Sequence, residues 1–409
     1  MFYENNLMRH LDKGILLSVF VITVCGLFAI YSATHGSEAQ IGHVTFKKQL
    51  IWTAIGIVAL AATIMTPIRF FHKYAFGIYG FSMVLLILVL LVGTGSGAKR
   101  WISFGSVWIQ PAEFAKIGTV LALAKYLSHD NRNLEDAREI IVAFGLVLLP
   151  VVLIIRQPDL GSGLVFWALV LPVLHWGGLS PIIMFILVAP LVSLICAFNY
   201  YSFLIAMIVI SLVLILSRRG MVFFLTNVIL NIGVGIATPF MWNLLKQYQK
   251  KRILTFLGLN TDPQGLGYQV IQSKVAIGSG GFLGKGFLQG TQTHLRFLPE
   301  QHTDFIFCVI GEEFGFIGVM VILALFLYLI LKSLNIAVSV KSKFLSLLVF
   351  GGLLILLFQI TVNIGMTVKI MPVTGLPLPF LSYGGSSLLS SLIISGLILN
   401  ASRRRFEYI

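Results

Sequence analysis

The chain has 409 residues, of which 57% are hydrophobic and only 11% are charged, and its formal net charge is +14. A water-soluble protein of this length cannot bury so large an apolar fraction, and many apolar stretches of roughly 17–25 residues exclude a transmembrane β-barrel. The sequence therefore predicts an all-α polytopic membrane protein, with residues 1–409 forming a single integral membrane domain.

Twelve apolar segments are each close to the length that a bilayer requires. They lie at about 15–34, 50–67, 75–93, 114–128, 141–155, 160–176, 181–198, 201–217, 221–243, 305–332, 345–368 and 382–401. The polar N-terminus leads directly into the first segment, so we expect no cleavable signal peptide. The three cysteines lie far apart in apolar segments, which predicts packing residues and no disulfide framework.

The charge pattern predicts the orientation. An even number of spans places both termini on one side, and basic residues flank the first and last spans and fill short loops on that side, which is therefore expected to be cytoplasmic. Roughly half of the 29 Lys and Arg then lie on the outer face, against the usual bias. This excess indicates an anionic ligand there, unless the long outer loop simply escapes the charge rule.

Two polar segments follow on the outer side. The first contains Arg100 and Trp101, and Trp101 is either an interfacial anchor or a surface on which a sugar stacks. Pro111 then predicts a helix start, and Glu113 and Lys116 share one helix face, as a structural ion pair or as site residues. The second segment, around Gln157 and Asp159, predicts a turn.

The longest outer segment is a predicted extracytoplasmic loop over 241–302, and loops of this length are usually functional. Residues 268–275 have the pattern of an interfacial helix. The glycine-rich run 278–286 predicts either a backbone nest for phosphate oxygens beside Lys285 or a plain re-entrant turn. Residues 372–387 contain three prolines and cannot continue a helix, so they are expected to form a wall of the outer site.

The strongest functional signal is Glu300, His302 and Asp304 at the mouth of the next span, because clustered ionisable groups are costly near a membrane unless they are used. The alternatives are structural. Thr303 or Asp304 could cap the helix, Glu300 could cap the loop or bind a metal, and His302 could tune Asp304 or be merely solvated. Further along, Glu312 is expected to be a structural partner for a Lys or Arg.

Taken together, these motifs resemble the SEDS family (shape, elongation, division and sporulation) of integral-membrane peptidoglycan glycosyltransferases. The resemblance covers nearly the whole chain and rests on residues 110–116, 157–161, 297–305 and 372–387. Residues 272–281 and 290–293 are more similar to the RodA (elongation) branch than to the FtsW (division) branch. The family typically has ten spans, so the extra pair is assigned to a hairpin over 181–219 of unknown role. Lys369 also departs from the family pattern.

The resemblance implies polymerisation of lipid II, in which the growing glycan on undecaprenyl pyrophosphate is transferred to the C4 hydroxyl of the next lipid II. Asp304 matches the family's catalytic aspartate and is the candidate base. The departing diphosphate requires basic groups or a divalent cation such as Mg²⁺ or Mn²⁺, held by Asp304 or Glu300, and no organic cofactor. The predicted substrate contacts are Trp101, Arg100, Glu113, Lys116, Lys274, Lys285, Arg296, Glu300, His302 and Ser382.

The family also implies partners and a location. A class B penicillin-binding protein and other membrane proteins of the elongation complex are expected partners, and no nucleic acid is expected. The protein should lie in the bacterial cytoplasmic (inner) membrane with its active site on the outer face. Two other functions remain open, a lipid II flippase and a scaffold for the penicillin-binding protein. No inverted repeat is evident and the polar groups cluster on the outer face, which disfavours transport.

Overall fold

The computed structural model describes residues 11–35, 39–94, 99–105, 107–129, 134–256, 266–294 and 300–405. They form fifteen helices and a two-stranded sheet. The helices are α1 (Lys13–His35), α2 (Ala39–Met65), α3 (Ile68–Val92), α4 (Pro111–Leu127), α5 (Ala137–Arg156), α6 (Leu160–Trp176), α7 (Pro181–Cys196), α8 (Tyr200–Leu216), α9 (Met221–Leu244), α10 (Gln247–Phe256), α11 (Leu266–Ser279), α12 (Thr291–His294), α13 (Ile306–Ser339), α14 (Lys343–Thr367) and α15 (Gly385–Arg403). The strands are β1 (Ile102–Phe104) and β2 (Val107–Ile109).

Each of the twelve apolar segments coincides with a helix, so the helical prediction is confirmed. Within the described residues, eight helices are long and apolar enough to cross a membrane, and α6, α7 and α8 are shorter apolar helices. The number of spans and the predicted domain limits therefore stay predictions. The outer segment 94–109 was predicted only as a loop, whereas it contains the antiparallel β1–β2 pair and a Thr94–Trp101 bridge.

The centre of the bundle is formed by α4, α14 and α15. Almost every residue of α4 is buried, and the most apolar windows of α14 and α15 are 67% and 83% buried. Small residues allow this close packing, because a Cβ on Gly351 of α14 would lie 2.7 Å from a Val120 methyl carbon of α4. The ends of these central helices therefore hold the loops attached to them in fixed positions.

The predicted extra hairpin corresponds to α7 and α8, which pack with α9 around a small cluster of their own. Ala189, Ile210 and Leu214 form the centre of that cluster. Ser193 of α7 donates a 2.7 Å hydrogen bond to Oδ1 of Asn231 on α9, which satisfies two buried polar groups. The outward faces of all three helices are apolar and exposed, as expected for helices that face lipid.

Helix α13 was predicted to continue through Gly315, but it is broken there, with Gly315 at φ 60° and ψ −157°. The glycine-rich turn 280–286 lies in the break. The amides of Lys285 and Gly286 donate to the carbonyls of Glu312 and Glu313 at 3.0 Å, and the amides of Phe316 and Ile317 donate back to the turn at 3.0 and 3.2 Å. Only glycine allows this contact at position 280, where a Cβ would lie 2.0 Å from the Gly311 carbonyl oxygen.

Candidate functional site

The predicted base, Asp304, is carried by a tight turn that immediately precedes α13. The Glu300 carbonyl accepts hydrogen bonds from the amides of Thr303, Asp304 and Phe305 at 3.2, 3.1 and 3.4 Å. Phe305 is the residue that caps α13, and among the described residues no side-chain capping hydrogen bond is made to the first turn of that helix. The alternative in which Thr303 or Asp304 caps the helix is therefore wrong, and the Asp304 carboxylate is not committed to that role.

The Asp304 side chain is partly buried, and we find no hydrogen bond to its carboxylate within the described ranges. Burial and, to a lesser extent, the neighbouring charge of Glu300 raise the pKa of Asp304 from 3.8 to about 6. The positive charges of Arg252 and Arg100 act in the opposite direction on this pKa, while Asp159 raises it slightly. A carboxyl group in this state ionises close to neutral pH and is suited to accept a proton.

Arg100 reaches the site from the β1–β2 segment. Its guanidinium donates to the carbonyl of Pro158, and its buried Nε has no partner among the described residues. Asp159, in the same turn, accepts a 3.1 Å hydrogen bond from Nε2 of Gln110 and caps α6 through Ser162. The predicted turn at 157–161 thus accepts hydrogen bonds both from Arg100, just before β1, and from Gln110, just before α4.

The opposite wall is the irregular segment 372–384, as the three prolines predicted. Nη1 of Arg252 donates a 3.3 Å hydrogen bond to the Thr374 carbonyl. A Cβ on Gly375 would lie 3.4 Å from Oδ2 of Asp304. Nδ2 of Asn363 bonds the carbonyls of Asp304 and Leu376 at 2.9 and 2.8 Å, so one amide on α14 holds the aspartate turn and this wall together.

Glu300 and His302 lie on either side of Gln301 in the Asp304 turn. Glu300 is exposed at φ 53°, and its carboxylate accepts a 3.2 Å hydrogen bond from the Thr303 hydroxyl, so it does cap the loop. Burial lowers the pKa of His302, partly opposed by the charge of Glu300. Its ring lies 5.4 Å from the ring of Tyr383, which favours a neutral, packed imidazole at physiological pH.

Ser382 is buried and structural in its contacts. Its hydroxyl accepts a 2.8 Å hydrogen bond from the Leu378 amide and donates 2.5 Å to the Thr303 carbonyl. The amide of Tyr383 donates to the His302 carbonyl at 2.8 Å. The wall segment and the aspartate turn are therefore bonded to each other directly, and the predicted contact of Ser382 with substrate stays a prediction.

Glu113 and Lys116 form an ion pair of 2.7 Å within α4, with both side chains almost completely buried. The second carboxylate oxygen of Glu113 accepts a 2.7 Å hydrogen bond from Ser390 of α15. The ion-pair interpretation is thus confirmed, and a role in binding substrate stays a prediction. Because the pair is desolvated, loss of one partner would leave an uncompensated buried charge.

The other predicted cations are placed differently. Lys285 forms a 2.7 Å ion pair with Glu312, which confirms the structural partner expected for Glu312. The amides of Lys285 and Gly286 bond α13, so the turn is held in the break of this helix, and the phosphate nest and the re-entrant turn both stay predictions. Lys274 is exposed on α11, and Trp101 is half-buried beside Thr94. Arg296 lies outside the described residues.

Several residues of the site were not selected from the sequence. Arg252 lies in a run of three basic residues, and nothing in that run distinguishes the one that reaches Asp304. Asp159 and Gln110 belong to motifs that had been recognised, but as turn and helix signals. Asn363 is a lone amide in an apolar helix, which is an indication of a buried hydrogen-bonding role.

A metal would have few ligands here. Among the described residues no group of three His, Cys, Asp or Glu side chains converges. Glu300 is close enough for its charge to raise the pKa of Asp304, and Mg²⁺ commonly takes only one or two carboxylates and keeps its waters. The residues present therefore fit a mostly hydrated ion bridging to an anionic ligand, and do not fit a closed protein cage.

Two apolar cavities lie beside α1 and next to Phe287, which directly follows the glycine turn. One, of about 400 Å³, is lined by α1, Phe46 and Phe287. The other, of about 450 Å³, is lined by α1, Phe287 and the first half of α13. Phe28 and Phe287 line both cavities, so the two cavities are adjacent. Their linings suit hydrocarbon and offer almost no polar group.

Comparison with known proteins gives consistent matches over nearly the full length. The FtsW/RodA/SpoVE family model, described as cell cycle protein, matches residues 13–203 and 181–407. The chain is 33% identical over 424 residues to peptidoglycan glycosyltransferase RodA of Treponema pallidum (96% of this chain, 98% of that one), and 34% identical over 400 residues to peptidoglycan glycosyltransferase MrdB of Escherichia coli (97% and 94%). Relatives named FtsW reach 32–33% identity.

A solved structure shows the same fold. A chain of a peptidoglycan synthase complex, described as coordinating polymerization and crosslinking, superposes with a TM-score of 0.71. It is 31% identical, with coverage of 97% of this chain and 99% of that chain. The two matches to the family model overlap at residues 181–203, which is the first part of the predicted extra hairpin.

Proposed function

The chain belongs to the FtsW/RodA/SpoVE (SEDS) family, and from that premise we propose that its outer site polymerises lipid II with Asp304 as the base. The protein is a multi-pass membrane protein of the RodA type and a peptidoglycan glycosyltransferase. The observation that carries the proposed residue role is the Asp304 carboxylate itself, which has no hydrogen bond from the described residues, and whose pKa is raised by burial to about 6 although the charges of Arg252 and Arg100 oppose this shift.

The reaction requires one base and one good leaving group. The C4 hydroxyl oxygen of the acceptor attacks the anomeric carbon of the donor, and Asp304 takes the hydroxyl proton. The bond between that carbon and the diphosphate oxygen breaks, and the diphosphate keeps the electron pair. The configuration inverts in this single displacement, so no second carboxylate is needed as a nucleophile.

Arg100 and Arg252 are the cations we assign to the departing diphosphate. Both act on the charge of Asp304, and the buried Nε of Arg100 has no partner in the described part of the chain. Their fixed positive charge stabilises the negative charge that develops on the leaving group. A Mg²⁺ or Mn²⁺ ion held by Glu300 would add positive charge near the leaving group when it is bound, and would leave Asp304 free to act as the base.

The apolar cavities beside α1 support the binding of a long hydrocarbon. We propose that the polyprenyl chain of one substrate lies there, because the lining around Phe28 and Phe287 is apolar and the cavities lie along the part of α13 that follows the Asp304 turn. The charge pattern further supports cytoplasmic termini and an outward-facing site in the cytoplasmic membrane. The similarity to a synthase complex supports pairing with a class B penicillin-binding protein.

The test is glycan synthesis by purified protein, with and without its penicillin-binding partner, from lipid II. Asp304→Asn should lose at least about 100-fold in rate while the protein remains folded. Asp12→Asn is a matched carboxylate-to-amide control near the other end of α13, where Oδ2 of Asp12 lies 3.9 Å from Nζ of Lys332. If Asp304→Asn polymerises at the wild-type rate, the assignment of the base is wrong. If the wild-type protein with its partner makes no glycan, a flippase or scaffold is favoured.

A further inference from the structure

We propose that Glu312, inside α13, is a positioning residue that fixes the Asp304 turn through Thr293 and Gln301. The inference rests on the proposed role of Asp304 and adds a residue to it. Glu312 is fully buried at the break in α13 and faces the outer segment. It lies eight positions after Asp304 in the sequence, and its carboxylate contacts the turn only through other groups.

The first step is the set of donors around Glu312. Oε1 accepts hydrogen bonds from Lys285 Nζ at 2.7 Å, the Gln292 amide at 2.9 Å and the Thr291 hydroxyl at 3.2 Å. Oε2 accepts from the Thr293 hydroxyl at 2.8 Å and amide at 3.1 Å. Five donors and one lysine charge offset the cost of burying this carboxylate, and they fix residues 291–293 to α13.

The second step leads from Thr293 to the aspartate turn. The Thr293 carbonyl accepts a 3.0 Å hydrogen bond from Nε2 of Gln301, and the same nitrogen donates 2.8 Å to the Ala33 carbonyl at the end of α1. Thr293 and Gln301 are 4% and 7% exposed, so water does not compete strongly for these bonds. Gln301 directly follows Glu300, whose carbonyl holds the amides of 303–305.

The consequence is a continuous set of buried hydrogen bonds from Glu312 to the backbone that carries the base. A shift of the carboxylate by about 1 Å out of line with the acceptor hydroxyl is enough to lower a rate by about 100-fold. Glu312 is thus placed to control the position of Asp304 without touching substrate. Its neighbour Glu313 has a different partner, because it accepts a hydrogen bond from Ser32 of α1.

The test compares Glu312→Gln with Glu313→Gln. Both variants remove one buried carboxylate from the same helix, but only the first puts an amide NH₂ among the donors that Glu312 holds. We expect Glu312→Gln to lower kcat for lipid II polymerisation about 10–100-fold with KM changed less than 3-fold. Glu313→Gln should retain kcat within about 3-fold. A change confined to KM, or equal losses in both variants, would overturn the proposal.

The path is tested by a second variant, Gln301→Leu, which removes the bond to Thr293 and leaves Glu312 intact. If the two residues act along one path, the kcat of the double variant should be no lower than that of the less active single variant. If instead the two losses in kcat multiply, the residues act independently and the path is refuted. This variant also keeps the proposal testable if Glu312→Gln does not fold.

A readout that does not depend on catalysis separates this proposal from the role of Asp304. Amide hydrogen exchange at 303–305 in the full-length protein should become at least about 10-fold faster in Glu312→Gln and Gln301→Leu, and remain unchanged in Glu313→Gln. Unchanged exchange in the first two variants refutes positioning, even if Asp304 is the base. Faster exchange in an enzyme whose Asp304→Asn variant is fully active would support positioning and refute the base.

Discussion

The pH dependence of polymerisation follows directly from the environment of Asp304. The perturbation is a change of pH from 8 to 5, applied to the purified protein with its partner and lipid II. Since the base must be ionised and its pKa is raised from 3.8 to about 6, its ionised fraction is about nine tenths at pH 7 and about one tenth at pH 5. An unshifted aspartate would still be about nine tenths ionised at pH 5.

The measurement is the initial rate of glycan formation at saturating lipid II, with a return to pH 7.5 to show that the loss is reversible. We expect the rate at pH 5 to be about a tenth of the plateau value. His302→Gln should keep the same acid limb, because the limb reports the ionisation of Asp304, and the pKa of His302 is shifted in the opposite direction, downward. Arg252→Met should move the limb to higher pH, since Arg252 lowers the pKa of Asp304. A rate that is flat between pH 5 and 8 refutes the reasoning.

Three further predictions concern stability, each measured by thermal unfolding in detergent. Asp304→Asn should raise the free energy of unfolding by about 1–2 kcal/mol above pH 6, because the wild-type protein must there keep charged a carboxylate whose native pKa is raised. This difference should vanish below pH 4, and equal stability of the two proteins at pH 7.5 contradicts the prediction. Lys116→Met should cost about 3–5 kcal/mol, and adding Glu113→Gln should recover part of that loss. Gly280→Ala should be destabilising by more than about 1 kcal/mol because its Cβ would collide with the Gly311 carbonyl, whereas Gly145→Ala, with open space around it, should not.

The helices of this fold were predictable because each apolar segment has the length of a membrane span, and that signal needs no tertiary information. The break at Gly315 was not predictable in the same way, since a single glycine within an apolar segment does not by itself show that a helix is interrupted. Strands β1 and β2 have three residues each and are too short for an alternating pattern to stand out.

The site shows the same division. Asp304 and the 372–387 wall carry local signals, an acid at a helix mouth and a run of prolines. The partners of Lys285 and Arg252 carry none, because Glu312 and Thr374 lie 27 and 122 positions away and no periodicity joins them. Lys285 was therefore assigned to substrate, although its charge is matched by a carboxylate inside α13.

The hydrogen bonds between the glycine turn and the break in α13 have a mechanical consequence. They run in both directions between two backbones, so the glycine turn cannot swing away from this helix without losing four main-chain bonds at once. The glycine turn and the first half of α13 therefore move as one unit, together with the apolar wall that Phe287 and Phe314 form beside α1.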